Sequence, residues 1–187
     1  MSNKKHHVLF GSLSVMVASA LLIAMSIVLG KYLAIRGGDI LRFSFENLPI
    51  LLAGMAFGPL VGVVTAVAAD LVGCLLVGYA INPLVTVGAA AIGLLGGLLY
   101  RLFGKLPDGP RVLLTVLLSH LVGSVLIKTV GLAVFYAMPL WQLMLWRLLN
   151  YAIVGALECL LLYAILKNKT VRSELSSLRR ADRKERP

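Results

Sequence analysis

Residues 47–78 read NLPILLAGMAFGPLVGVVTAVAADLVGCLLVG, and Asp70 is the one charged side chain among them. Proline is tolerated in the first turn of a helix, so Pro49 and Pro59 predict two consecutive helices, over 47–58 and 59–78. The second has the roughly 20 residues needed to span a bilayer, whereas the first is too short to cross without tilting or ending early. The lipid bilayer is therefore the predicted solvent of this stretch.

Further apolar segments flank this stretch, and three of them also have a proline at or near the start. The chain has 187 residues, of which 59% are hydrophobic and 14% charged, and its mean hydropathy is +0.93. Soluble domains with a solvated surface do not have this composition. We predict an all-α membrane protein of six transmembrane helices in a single domain, 1–187. The flanking segments are 8–35, 82–104, 110–137 and 139–167.

The basic residues predict the orientation. Thirteen Lys and Arg residues fall in the N-terminus, the fourth connection and the tail, against three in the first external loop. Because cytoplasmic segments carry the excess of Lys and Arg, both termini are predicted to be cytoplasmic: residues 1–7, and a basic tail over 168–187. Topology thus explains the net charge of +10 without a nucleic-acid partner.

Ionisable and amide side chains interrupt the predicted spans, where they are costly and mark pathways, pockets or structural pairs. Most fall towards the external ends, which favours a pocket open to the outside, although Asp70 could instead pair with Lys128 or Arg147 to hold the bundle together. Glu158 and His120 lie nearer the cytoplasm and suggest a separate internal pair. The predicted ligand-binding residues are Arg42, Phe45, Glu46, Asn47, Asp70, Tyr79, Asn82, Lys128, Trp141, Arg147 and Asn150.

Residues 41–46 read LRFSFE and alternate apolar with polar side chains, the period of an extended segment. Such a segment could lie across the mouth of the bundle as a lid, with Phe43 and Phe45 on one side and Arg42 and Glu46 on the other. An ordinary loop with its phenylalanines in the membrane interface is the alternative.

Several catalytic and metal-binding signatures are absent from the sequence. It contains no GxxxxGK[ST], HExxH or GxSxG motif, and its two cysteines, Cys74 and Cys159, lie in apolar stretches without ligand spacing. We therefore expect no cofactor, no metal and no enzymatic activity. A transporter built from this chain must take its energy from a partner, and the small residues Ala20 and Ala24 offer a face that another helix can approach closely.

Four runs carry a resemblance to a known family. They are ALLIAMSIVL at 20–29, RFSFENLPI at 42–50, LAGMAFGPLVG at 52–62 and ADLVG at 69–73. The chain resembles the substrate-binding S components of energy-coupling-factor (ECF) vitamin transporters, most of all the folate-specific ones.

The resemblance implies a multi-pass protein of the bacterial cell (inner) membrane that binds folate from outside. It also implies a transmembrane coupling protein and two ATPase subunits as partners, with Ala20 and Ala24 facing the coupling protein. A flat pterin and a glutamate with two carboxylates would suit stacking, hydrogen-bonding and cationic side chains. The same residues would suit pantothenate or another anionic vitamin. A non-transport membrane assembly protein and a membrane enzyme using Glu158 or His120 are two competing hypotheses.

Overall fold

The computed structural model describes residues 13–37 and 41–185, with the side chains of 36–37, 41–42 and 179–185 left undescribed. Seven helices follow one another in the described part. They are α1 (Leu13–Tyr32), α2 (Asn47–Phe57), α3 (Pro59–Val77), α4 (Pro83–Leu102), α5 (Asp108–Tyr136), α6 (Leu140–Lys167) and α7 (Lys169–Glu185).

The six apolar segments predicted from the sequence all appear as helices, and their ends within the described residues lie close to the predicted ones. The predicted cytoplasmic N-terminus, 1–7, and the start of the segment 8–35 lie outside the described residues. Pro59 and Pro83 occupy the first helical position of α3 and α4, where the missing N–H removes no helical hydrogen bond. Five of the six helices are long and apolar enough to cross a membrane. The prediction of a short second helix is confirmed, since α2 has 11 residues and extends about 16 Å.

Helix α2 forms the centre of the bundle, with every one of its residues buried. Leu51 and Ile50 belong to a core that also includes Ile92 of α4, Val116 of α5 and Leu162 of α6. This burial explains why a sequence apolar on all sides forms a short helix, because protein rather than lipid surrounds it.

Glycines bring α2, α3 and α4 into close contact. A Cβ on Gly93 would overlap the carbonyl oxygen of Gly62, and one on Gly54 would lie 2.6 Å from the carbonyl oxygen of Gly93. Gly58, with φ of 107°, makes the turn between α2 and α3 in a conformation that L side chains rarely adopt. Within lipid the hydrophobic effect contributes little to helix association, so close packing of these small residues holds the three helices together.

Two local features refine the all-α prediction. The extended segment predicted over 41–46 is a strand in part: Leu41–Phe43 pairs antiparallel with Ile35–Gly37, so the loop between α1 and α2 contains a short two-stranded sheet. The backbone is π-helical over Val28–Tyr32 in α1 and over His120–Ile127 in α5. Because the π-helix is wider than the α-helix, it changes the direction in which later side chains point.

The basic tail forms α7, which packs against α1, α2 and α6. Leu175 and Leu178 cover a small apolar cluster that includes Val15 and Phe57. The tail is therefore attached to the end of the bundle at which α4 and α6 finish and α5 begins.

Candidate functional site

A small cavity opens at the opposite end of the bundle, where α1 finishes and α2 begins. It has a volume of about 10 Å³, close to the minimum for one water molecule. Helices α1, α2, α3, α4 and α5 all contribute to its wall. The lining residues are Ser26, Ile27, Lys31, Glu46, Ile50, Ala69, Asp70, Ala89 and Lys128.

Lys128 is the buried cation of this cavity, with 4% of its surface exposed. Its Nζ lies 3.2 Å from Glu46 Oε1 and donates to Asn47 Oδ1 at 3.4 Å. Its stem passes Gly88 of α4, where a Cβ would lie 2.5 Å from Lys128 Cγ. The position of the ammonium group is therefore set by α2 and α4 together.

At the start of α2, Glu46 lines the cavity and Asn47 contacts the Lys128 ammonium beside it. Ser26 Oγ of α1 donates to the Glu46 carbonyl oxygen at 2.6 Å, and a Cβ on Gly30 would lie 2.8 Å from Glu46 Oε2. Asn47 is fully buried, and its Nδ2 has no hydrogen-bond partner among the described residues. A buried amide donor of this kind is costly unless water or a ligand accepts from it.

Asp70 and Lys31 occupy the remaining polar wall. Thr86 Oγ1 of α4 donates to Asp70 Oδ2 at 2.6 Å. Lys31 Nζ lies 3.6 Å from Cys74 Sγ and 5.7 Å from the centre of the Tyr79 ring. The alternative in which Asp70 pairs with Lys128 or Arg147 is wrong for this structure, because Glu46 pairs with Lys128 and Asp70 accepts from Thr86.

Three of the predicted ligand-binding residues thus line one cavity, namely Glu46, Asp70 and Lys128. A fourth, Asn47, lies beside it and accepts from Lys128. Phe45 lies directly before them and packs on the core beside α2. The backbone of Arg42 pairs with that of Arg36, but its side chain is outside the described part of the structure.

Three further predicted residues, Asn82, Tyr79 and Trp141, do not line the cavity. Asn82 caps α4 by accepting from Leu84 N at 3.1 Å and donates to the Gly131 carbonyl at 2.9 Å, so its amide ties α4 to α5. Tyr79 is half-exposed above Lys31. Trp141, at the start of α6, is 71% exposed, which suits the aromatic belt at a membrane interface.

Arg147 and Asn150 belong to a second polar group, between α5 and α6. Arg147 donates to the Ser124 carbonyl at 3.3 Å and to Tyr151 Oη at 3.2 Å. Asn150 is buried one turn further along α6. Neither residue lines the cavity around Lys128.

The internal pair suggested for Glu158 and His120 is confirmed. Glu158 Oε2 lies 2.5 Å from His120 Nε2, and His120 Nδ1 lies 3.1 Å from Ser124 Oγ within the π-helical stretch. The Tyr151 ring stacks on His120 at 5.0 Å. With both residues almost fully buried, the pair connects α5 to α6.

Ser26 and Lys31 are two cavity residues that sequence reasoning missed. The sequence places Lys31 among the loop cations, whereas it lies in the last, π-helical turn of α1. Gly73 in α3 could have indicated its position, because a glycine in a helix leaves room for a neighbouring side chain. A Cβ at Gly73 would lie 2.8 Å from Lys31 Cε.

The predicted docking residues, Ala20 and Ala24, are both exposed on one side of α1. They lie next to the large exposed side chains of Leu21 and Met25. Within residues 13–37 and 41–185, no group of three His, Cys, Asp or Glu residues is arranged to hold a metal ion.

Comparison with known proteins agrees with this fold. The family described as ECF transporter, substrate-specific component, matches residues 14–168. The chain is 27% identical over 157 residues to the Folate transporter FolT of Clostridium novyi (strain NT), covering 82% of this chain and 88% of that protein.

Solved structures give the same result. The crystal structure of FolT bound with folic acid matches with a TM-score of 0.67 and 26% identity, over 82% of this chain and 91% of that one. The S-component for biotin from an ECF-type ABC transporter matches with a TM-score of 0.61 and 19% identity, over 90% and 95% of the two chains, which is a likeness of fold alone. This chain therefore belongs to the substrate-specific components of ECF transporters and is a multi-pass membrane protein.

Proposed function

We propose that this chain binds folate from outside the cell, as the substrate-binding subunit of an ECF-type ABC importer. The observation that carries the proposal is the buried ammonium of Lys128, held beside Glu46 and Asn47 in a cavity at one end of the bundle. The Asn47 Nδ2 donor, which lacks a partner among the described residues, adds a group for a ligand to satisfy. Likeness to FolT, including a structure with folic acid, points to the same vitamin.

The polar groups around the cavity suit the two ends of folate. Carboxylates of the glutamate moiety would accept charge-assisted hydrogen bonds from Lys128, and Lys31 offers a second cation on the same wall. Asp70 offers an acceptor for the N–H groups of the pterin edge, while Phe45 and Tyr79 offer aromatic faces nearby.

Ligand entry requires a movement of the outer wall, because the cavity is too small for a pterin ring. The loop between α1 and α2 is the segment best suited to move. Its strand Leu41–Phe43 packs against α6 and pairs with Ile35–Gly37. We infer that this loop acts as the lid over the cavity.

Ligand identification tests the proposal directly. The protein would be purified in mild detergent, and any small molecule that co-elutes identified by mass spectrometry. Folate, pantothenate and biotin would then be titrated into ligand-free protein by calorimetry. Tight binding of folate alone supports the proposal. Binding of pantothenate or another anionic vitamin instead assigns a different substrate to the same cavity, and no vitamin binding by well-folded protein favours an assembly role.

Energy for uptake comes, in this proposal, from two ATPase subunits acting through a transmembrane coupling protein that packs on Ala20 and Ala24. Exposure of both alanines on α1 supports the assignment, since a partner helix can approach such a face closely.

The proposed topology has six crossings, with α2 as a short second crossing enclosed by protein, and both termini in the cytoplasm of a bacterial cell. Cysteine labelling tests it in a background where Cys74 and Cys159 are replaced. Ala80→Cys, in the exposed connection between α3 and α4, should react with an impermeant thiol reagent in intact cells. Ser177→Cys, in α7, should react only after the cells are opened. The reverse pattern would place the Lys128 cavity on the cytoplasmic side and remove the proposal of uptake from outside.

A further inference from the structure

A second cavity lies at the other end of the bundle, away from Lys128. It has a volume of about 170 Å³ and is enclosed by the end of α4, the first turn of α5, the end of α6 and the face of α7. Its lining residues are Tyr100, Asp108, Arg111, Leu166, Arg172, Leu175 and Ser176. Two arginines and an apolar rim thus meet at the end of the bundle where α4 and α6 finish and α5 begins.

Arg111 is held in a fixed orientation within this cavity. Its Nε donates to the Tyr100 carbonyl at 2.7 Å, and its guanidinium carbon lies 3.7 Å from the centre of the Tyr100 ring. Its Nη groups have no hydrogen-bond partner among the described residues. A guanidinium fixed through one nitrogen and one face leaves its remaining donors for an anion, and their planar arrangement suits phosphate oxygens.

Arg172 faces Arg111 from α7. Its Nη1 lies 3.9 Å from Asp108 Oδ2, a long contact between two groups that are more than half exposed. Such a surface pair contributes little energy, so Arg172 remains available to an anion with stronger charge. The surrounding helix ends add Arg101, Lys167 and Lys169, so cations outnumber the carboxylates of Asp108 and Glu174.

We propose that this cavity binds the phosphate headgroup of an anionic phospholipid, with Arg111 and Arg172 as the phosphate ligands. Leu166 and Leu175 form an apolar rim, and the nearby exposed side chains of Leu102 and Leu113 provide a surface for acyl chains. Anionic headgroups attract basic segments at the membrane surface, which explains why α7 is basic yet packed on the bundle. The lipid would fasten α7 to α4 and α5. This site is independent of the proposed vitamin binding.

Native mass spectrometry of the full chain in detergent tests the proposal. Phosphatidylglycerol is titrated against phosphatidylcholine with the same acyl chains, and glycerol 3-phosphate serves as a soluble phosphate. We expect phosphatidylglycerol to bind preferentially. Arg172→Gln should weaken its binding on the order of tenfold, since one charge-assisted contact is lost. Lys105→Gln, which removes the same charge outside the cavity, is the matched control and should change binding by less than about twofold.

Asp108→Asn gives a prediction of opposite sign. Because the Asp108 carboxylate competes with phosphate for Arg172, its removal should tighten phosphatidylglycerol binding. Arg111→Gln should weaken binding, but Arg111 also supports Tyr100, so the conclusion rests on Arg172 and Asp108. Equal binding of the two phospholipids, or equal loss in Arg172→Gln and Lys105→Gln, would overturn the proposal. Displacement of the lipid by glycerol 3-phosphate at equal concentration would make this a soluble-anion site and overturn the lipid assignment.

Discussion

Replacing Lys128 with methionine tests the central contact of the proposed folate site. The substitution keeps most of the stem that passes Gly88 and removes the ammonium group 3.2 Å from Glu46. With 5% of its side chain exposed, Lys128 is poorly replaced by water. A charge-assisted hydrogen bond contributes about 1.5–3 kcal/mol, so Lys128→Met should weaken folate binding about tenfold to a hundredfold.

The assay compares two ligands by calorimetry on purified protein: folate and an analogue that lacks the glutamate moiety. If Lys128 meets the carboxylates, Lys128→Met weakens folate binding strongly and analogue binding little. Glu46→Gln breaks the same ion pair from its opposite side and keeps the cation, so it should reduce folate affinity less than Lys128→Met does. Glu46 retains 22% exposure, which allows water to solvate its carboxylate when Lys128 is absent.

Equal losses for folate and the analogue in Lys128→Met would refute this reasoning. So would equal losses of folate affinity in Lys128→Met and Glu46→Gln, because the ion pair would then act only by holding α2 against α5. Thermal unfolding of both variants would show whether that structural effect is present.

Three further perturbations test separate parts of the molecule. Ala24→Trp should abolish uptake while folate binding survives. Leu160→Trp, at an exposed position of α6, is the control and should leave both uptake and binding intact. Normal uptake by Ala24→Trp would contradict the proposal that the coupling protein packs on Ala24. Gly93→Ala should destabilise the fold, because its Cβ would overlap a carbonyl oxygen of α3. Gly109→Ala is the control, since its Cβ would meet only a side-chain atom at 3.9 Å. Equal melting temperatures of the two variants would contradict the close approach of α4 to α3. Glu158→Leu leaves the buried histidine that it pairs with unsatisfied and should cost about 1–3 kcal/mol of stability, measured by thermal unfolding; an unchanged melting temperature would contradict a stabilising role.

The sequence alone determined the helices and their approximate ends, because those depend on local rules. Apolar runs of bilayer length, interrupted by prolines such as Pro59 and Pro83, can form little except membrane helices, since backbone groups in lipid must bond within their own segment. The short α2 was predicted because its apolar segment, 47–58, has too few residues to span the bilayer. Resemblance in the first half of the chain was enough to indicate the family without knowledge of any tertiary contact.

Tertiary structure alone decided which polar residues meet. Lys128 and Glu46 are 82 residues apart, and nothing local indicates that they pair. The π-helical stretch of α5 also makes the partners of its side chains hard to predict. Each residue added to a helix turns the following side chains by about 100° and so changes the neighbour they face. From the sequence, Glu46, Asn47, Asp70 and Lys128 were predicted as ligand-binding residues because they are polar and mostly lie towards the external ends of the helices. The same criteria also included Asn82 and Trp141, which lie elsewhere, and omitted Lys31. The direction in which a side chain points depends on helix register and packing, which the position of a residue along its helix does not reveal.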